Sequence, residues 1–212
     1  MEPFIRAEQF HYIENQTATL VNSRSSTNDK AVRSAMIAIT QEKVIDAFHT
    51  LTEDQKQMIS QIDQIKDEGD ALFFLSRLKQ YIIPFTKLTE QQIKNMFPKV
   101  KKLQVPDLQA IPWHTLTYLG WTDHGSKRKY IITYLDQEWT ALQGEFTPSH
   151  HPGICSICHE TEEVGLFTVS KHDKSTGETI SRGNYICQDS ERCNYNLKDK
   201  TSFLQFIDRL QM

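Results

Sequence analysis

Residues 153–167 read GICSICHETEEVGLF, and residues 183–197 read GNYICQDSERCNYNL. Between them these stretches hold all 4 cysteines of a 212-residue chain: Cys155, Cys158, Cys187 and Cys193. A Cys-x2-Cys pair on a tight turn can point two thiolates at one ion, and a second pair brought in by the fold completes a tetrahedron around zinc. The segment between the pairs reads as a hairpin, LFTVSKH (166–172) returning through SRGNYIC (181–187), with its turn at DKSTGE (173–178). A knuckle, a hairpin, then a helix or turn giving the last ligands is the layout of a treble clef. The second pair is spaced Cys-x5-Cys, wider than the usual two.

Other fates for the cysteines fit less well. A thioredoxin-like redox pair follows a strand in a βαβ unit, and this pair does not. MEPFIRAEQFHYIENQ has no basic segment leading into an apolar one, so no signal peptide is read and a reducing cytoplasm is expected, where disulfides are rare. No apolar run nears the roughly 18 residues of a membrane span. A catalytic zinc keeps an open coordination position, whereas four thiolates close the site. Zinc deaminases need a His-x-Glu upstream of their Cys-x-x-Cys, and none stands there. One structural zinc is therefore expected, supplying on the order of 10 kcal/mol to a cysteine region of about residues 150–212. His150, His151 and His159 lie close by but read as solvated side chains.

Upstream, residues 1–84 carry the 3.6-residue periodicity of helices. Phe10, Ile13, Leu20 and Val21 mark a first helix. Val32, Ala35, Met36 and Ile39 are expected on the inner side of a second, capped by Asn28 and followed by Val44, Ile45 and Phe48. Thr52 and Gln55 have capping-box spacing for a third. Asp70 opens a fourth with Ala71, Phe74, Leu75, Leu78 and Ile82, and Pro84 cannot continue it. The expectation is a four-helix bundle over 1–84 and an α/β domain over 85–212, an α+β chain overall. In the second part Thr89 and Gln92 mark one more helix. TLTYLGW (115–121), KYIITYL (129–135) and EWTALQGEF (138–146) read as strands, and FTPSHHPG (146–153) reads as a linker.

The formal net charge is -3. Lys plus Arg against Asp plus Glu number 9 and 12 over residues 1–84, and 15 and 15 over 85–212. KVKK (99–102) and SKRK (126–129) are basic clusters that could meet an acidic partner surface or RNA, although such clusters are more often simply solvated. No Gly-rich phosphate loop and no nucleophile with an activating base is visible, so a binding protein is expected rather than an enzyme. Ile154, Arg182, Tyr185 and Phe206 surround the cysteines and have the composition of a protein-interface hot spot. The plainer explanation is that Tyr185 and Phe206 shield a small core.

RKYIITY, GEF, GICSIC, GLF, RGNYICQDSERCN and FIDRL, with the early AEQFHYI and YIIPF, resemble the FusB-type fusidic acid resistance proteins of the elongation factor G-binding family. The likeness spans nearly the whole chain and includes the Cys-x5-Cys spacing. It implies a helical bundle, then a domain with a four-cysteine treble-clef zinc finger. It also implies binding of elongation factor G, on or off the ribosome, chiefly through the second domain, and release of ribosomes on which the drug traps that factor. Neither drug nor ribosome would be altered. The resemblance places the zinc on Cys155, Cys158, Cys187 and Cys193, and the factor-binding surface on Ile154, Arg182, Tyr185 and Phe206. Ile154 departs from the aromatic expected there. A monomer in the cytoplasm, with ribosomal RNA as a further contact and no membrane, completes this expectation. The competing class is a zinc-dependent RNA- or ribosome-binding module.

Overall fold

In a computed structural model, described here for residues 1–172 and 177–211, the chain divides into two compact units, Met1–Ile83 and Pro84–Met212. The first unit is helical: α1 (Ala7–Ser26), α2 (Lys30–Asp46), α3 (Glu53–Ser60) and α4 (Glu68–Lys79), with a 3-10 turn at Gln61–Gln64. Caps fix the helix starts. Thr52 and Gln55 form the expected capping box on α3, whereas α2 is capped by Asp29 rather than Asn28, and α4 by Asp67 rather than Asp70. Phe10, Ile13, Leu20, Val44, Ile59, Ile62, Phe74 and Leu78 close the core. The entering strand is tied down beside the last helix: Phe4 and Ile5 donate N–H bonds to the Tyr81 carbonyl, and Ile83 donates to Ile5.

The second helix differs from expectation. Val32, Ala35 and Ile39 are exposed, and the inward line runs through Ile37, Thr40 and Val44. Arg33 sets that phase by donating to the carbonyls of Thr27 and Arg24, which satisfies acceptors at the α1 end.

The second unit begins with α5 (Glu90–Met96), started by the Thr89–Gln92 capping box. Five antiparallel strands follow in meander order: β1 (Leu119–Asp123), β2 (Arg128–Leu135), β3 (Glu138–Ile154), β4 (Thr161–His172) and β5 (Thr179–Cys187). Two short helices end the chain, α6 (Ser190–Asn196) and α7 (Lys200–Leu210). Strand alternation splits the interior into two cores. On β2, Tyr130 and Ile132 face Leu88, Ile93, Phe97, Trp113 and Trp121. Ile131 faces the opposite core, with Phe146, Phe167, the cysteines and the apolar side of α7.

The stretch 146–153, expected as a linker, is part of the 17-residue β3. Its pairing with β4 slips between Pro148 and Pro152, so the strand bends there. Pro148 and Pro152 pair with Gly165 and Glu163 on either side of the bulge, and one strand runs from the sheet into the metal knuckle. Of the hairpin turn expected at 173–178, residues 173–176 lie outside the described residues. Among the described residues no helix is long and apolar enough to cross a membrane.

Candidate metal centre and its exposed rim

The four cysteine sulfurs come from three places: the turn after β3, the last residue of β5 and the second turn of α6. Asp189 caps α6 by accepting from the Glu191 and Arg192 N–H groups, and the Cys193 N–H bonds to the Asp189 carbonyl. Leaving a strand at Cys187, capping at Asp189 and winding one turn takes five intervening residues, which accounts for the wide spacing. At the knuckle, Ile157 and Cys187 donate backbone N–H groups toward the Cys155 sulfur at 3.3 and 3.4 Å. His159 closes the turn in the left-handed region, φ 61°, and donates to the Cys155 carbonyl. Its role is to shape the turn.

All four Sγ atoms lie within 4.8 Å of one another, with Cys155–Cys193 and Cys158–Cys187 each 3.7 Å apart. Zinc–sulfur bonds of about 2.3 Å put tetrahedral ligands ~3.8 Å from each other, so this set fits the ion. The thiols are buried and none is oxidised to a disulfide. Hydrogen bonds with Cys158, then Cys187 and Cys193, pull the Cys155 thiol far down, whereas contacts with Cys155 and then Cys158 push Cys187 and Cys193 up. Four thiolates this close repel, and a central dication is the chemistry that reconciles them. The centre is one structural zinc site.

Its surroundings are built from residues far away in sequence. Tyr118 stacks on Phe203 with ring centres 4.9 Å apart, and its pKa is driven well up by burial and then by Cys193. Asn194 is a hub: its carbonyl accepts from the Thr117 and Tyr118 N–H groups and its amide donates to the Tyr118 and Ser190 carbonyls. Glu162 of β4 accepts from Arg192 at 2.9 Å and Asn196 at 2.7 Å, which lowers its pKa and straps the hairpin to α6.

The four residues expected at the rim are not on one surface. Ile154 is 69% exposed and Tyr185 52% exposed. The Ser156 N–H bonds to the Tyr185 carbonyl at 2.8 Å, fastening the knuckle to β5 beside both side chains. Leu166, 38% exposed, pairs directly with Tyr185 across the β4–β5 ladder and extends this apolar surface. Arg182 is three residues from Tyr185, so it leaves β5 on the opposite face, where its guanidinium donates to the Arg209 carbonyl at the end of α7. Phe206 is 1% exposed and packs on Phe167. Expected on the factor-binding surface, it is in the core, because the buried side of α7 takes in Phe203, Phe206, Ile207 and Leu210.

Two residues of the centre escaped sequence reasoning. Leu166 carries no signal apart from its ladder partner. Lys129 belongs to the cluster 126–129, read as partner-facing or solvated, yet it is buried at the metal end of the sheet.

Comparison with known proteins agrees with this geometry. Residues 4–86 match a family described as elongation factor G-binding protein, N-terminal, and residues 93–207 match one described as FBP C-terminal treble-clef zinc-finger. A solved structure, titled "Structure of the fusidic acid resistance protein FusC", is 30% identical, with a TM-score of 0.84 over 98% of this chain and 97% of that one. The chain belongs to the FusB-type elongation factor G-binding family. No curated protein matches it at a significant level. Within this family a treble-clef zinc finger is the named C-terminal feature, and here its four cysteines hold β3, β5 and α6 together.

Proposed function

We propose that the chain binds elongation factor G through the exposed rim of its zinc finger and promotes departure of that factor from ribosomes stalled by fusidic acid, without altering the drug. The observation that carries this reading is the pair Ile154 and Tyr185, large apolar groups left exposed on a knuckle and strand that the metal locks together. An aromatic and an aliphatic anchor on a rigid support have the make-up of an interface hot spot. Arg182, on the opposite face of β5, ties the strand to α7 behind this surface, and Phe206 supports it from the core. A protein accelerates release of a trapped factor only by binding the departing form, or the path to it, better than the trapped one. Binding alone does this work, so no bond is made or broken.

The test is sedimentation of ribosomes carrying elongation factor G locked by fusidic acid and guanine nucleotide. Wild-type protein moves the factor into the supernatant, and Tyr185→Ala needs at least about tenfold more protein for the same effect. Wild-type protein that leaves the factor on the pellet contradicts the release step. Tyr185→Ala acting like wild type removes the rim from the interface.

A second reading has one observation in its favour. Tyr195 of α6 is flanked by Arg192 and Lys198, 5.6 and 4.6 Å from its ring centre, a combination that also suits a nucleobase beside a phosphate. Salt-sensitive binding to ribosomal RNA lost in Tyr195→Ala, with no complex formed with the factor, favours it.

A further inference from the structure

Lys129 is a buried lysine at the metal end of the sheet. Its side chain is 1% exposed on β2. The ammonium donates to the Gln188 carbonyl at 2.8 Å and to the Thr122 hydroxyl at 3.3 Å, and it lies 4.9 Å from the centre of the Phe146 ring. Among the described residues no carboxylate comes within 4.0 Å of it. Burial lowers its pKa to about 8, and what opposes that fall is Cys193, then Cys187, Asp189 and Cys155. A charge taken out of water at this depth is costly unless an opposite charge offsets it.

Three of those four groups are the zinc ligands Cys193, Cys187 and Cys155. One dication with four thiolates carries a net charge of about minus two, and this charge is also buried. Gln188 follows the ligand Cys187 directly, and its own side chain donates to the Ser149 and Val164 carbonyls. The bond from Lys129 to the Gln188 carbonyl therefore holds the end of β5 at the point where it presents a ligand. We infer that Lys129 is the positioning residue and counter-cation of the zinc centre, offsetting thiolate charge and fixing the strand end that delivers Cys187. A lysine that merely fills space in this core would show neither effect.

The distinction is measurable on the full-length protein. Lys129→Met keeps the length and apolar stem but removes the charge, and Lys129→Gln keeps a hydrogen-bond donor without it. Zinc transfer to a chromogenic chelator is expected to quicken by about 10- to 100-fold in either variant, with circular dichroism unchanged. In the cobalt-substituted proteins the sulfur-to-metal charge-transfer band is expected to move to longer wavelength, because the thiolates lose a neighbouring positive charge. Wild-type release rate and wild-type band position in a folded variant overturn the proposal. If neither variant folds, nitrogen-detected spectra of the zinc-loaded wild type at neutral pH decide it. An ammonium at Lys129 supports the assignment, and a neutral amine overturns it.

Discussion

Tyr185 and Phe206 are both aromatic and both close to the cysteines, yet the fold gives them opposite duties. Tyr185 leaves β5 away from α7, pairs with Leu166 across the ladder and keeps half its surface in solvent. Phe206 turns into the core on Phe167. Truncating the two therefore separates contact from support. Phe206→Ala is expected to destabilise the second unit by about 3–5 kcal/mol, seen as a lower denaturation midpoint, whereas Tyr185→Ala leaves that midpoint near wild type. A Phe206→Ala protein with unchanged stability would place this ring outside the core. The cysteines were legible at this scale because their chemistry allows few roles at such spacing. Lys129 was not, because burial of a lysine depends on partners at Thr122, Phe146 and Gln188, and only the sheet brings these together.

Among the elements, the β4–β5 hairpin and α6 are joined by one ion pair on the surface and one metal site inside. Glu162 is held below the usual carboxylate range by Arg192 and Asn196. The sign follows: a carboxyl whose folded pKa is depressed contributes stability above its unfolded pKa and loses it as pH falls through the folded value. Glu162→Gln is thus expected to flatten the acid side of the stability–pH curve for the second unit, leaving neutral pH little changed because the pair is solvated. An acid limb identical to wild type would show that the strap carries no pH-dependent stability. Helix starts with capping boxes at Thr52 and Thr89 were readable from local chemistry. The run of β3 through 146–153 was not, because a bulge lets two prolines and two histidines continue a strand that composition alone marks as a break. The inward line of α2 was equally hidden, since two apolar stripes compete and Arg33 decides between them through the α1 end.

Across the whole molecule, the two units have cores of different kinds. The apolar core of the helical unit is aliphatic and aromatic, and the second unit closes one of its two cores around four sulfurs. Metal removal should therefore act on the second unit and spare the first. In the proposed function, zinc performs no chemistry. It keeps Ile154 and Tyr185 in register as one docking face. The most direct measurement is calorimetric titration of elongation factor G with zinc-loaded protein, with protein stripped by a chelator, and with stripped protein given zinc again. The account predicts binding in the first, loss in the second with the helical signal of Met1–Ile83 retained, and recovery in the third. Stripped protein that binds the factor with undiminished affinity would contradict it.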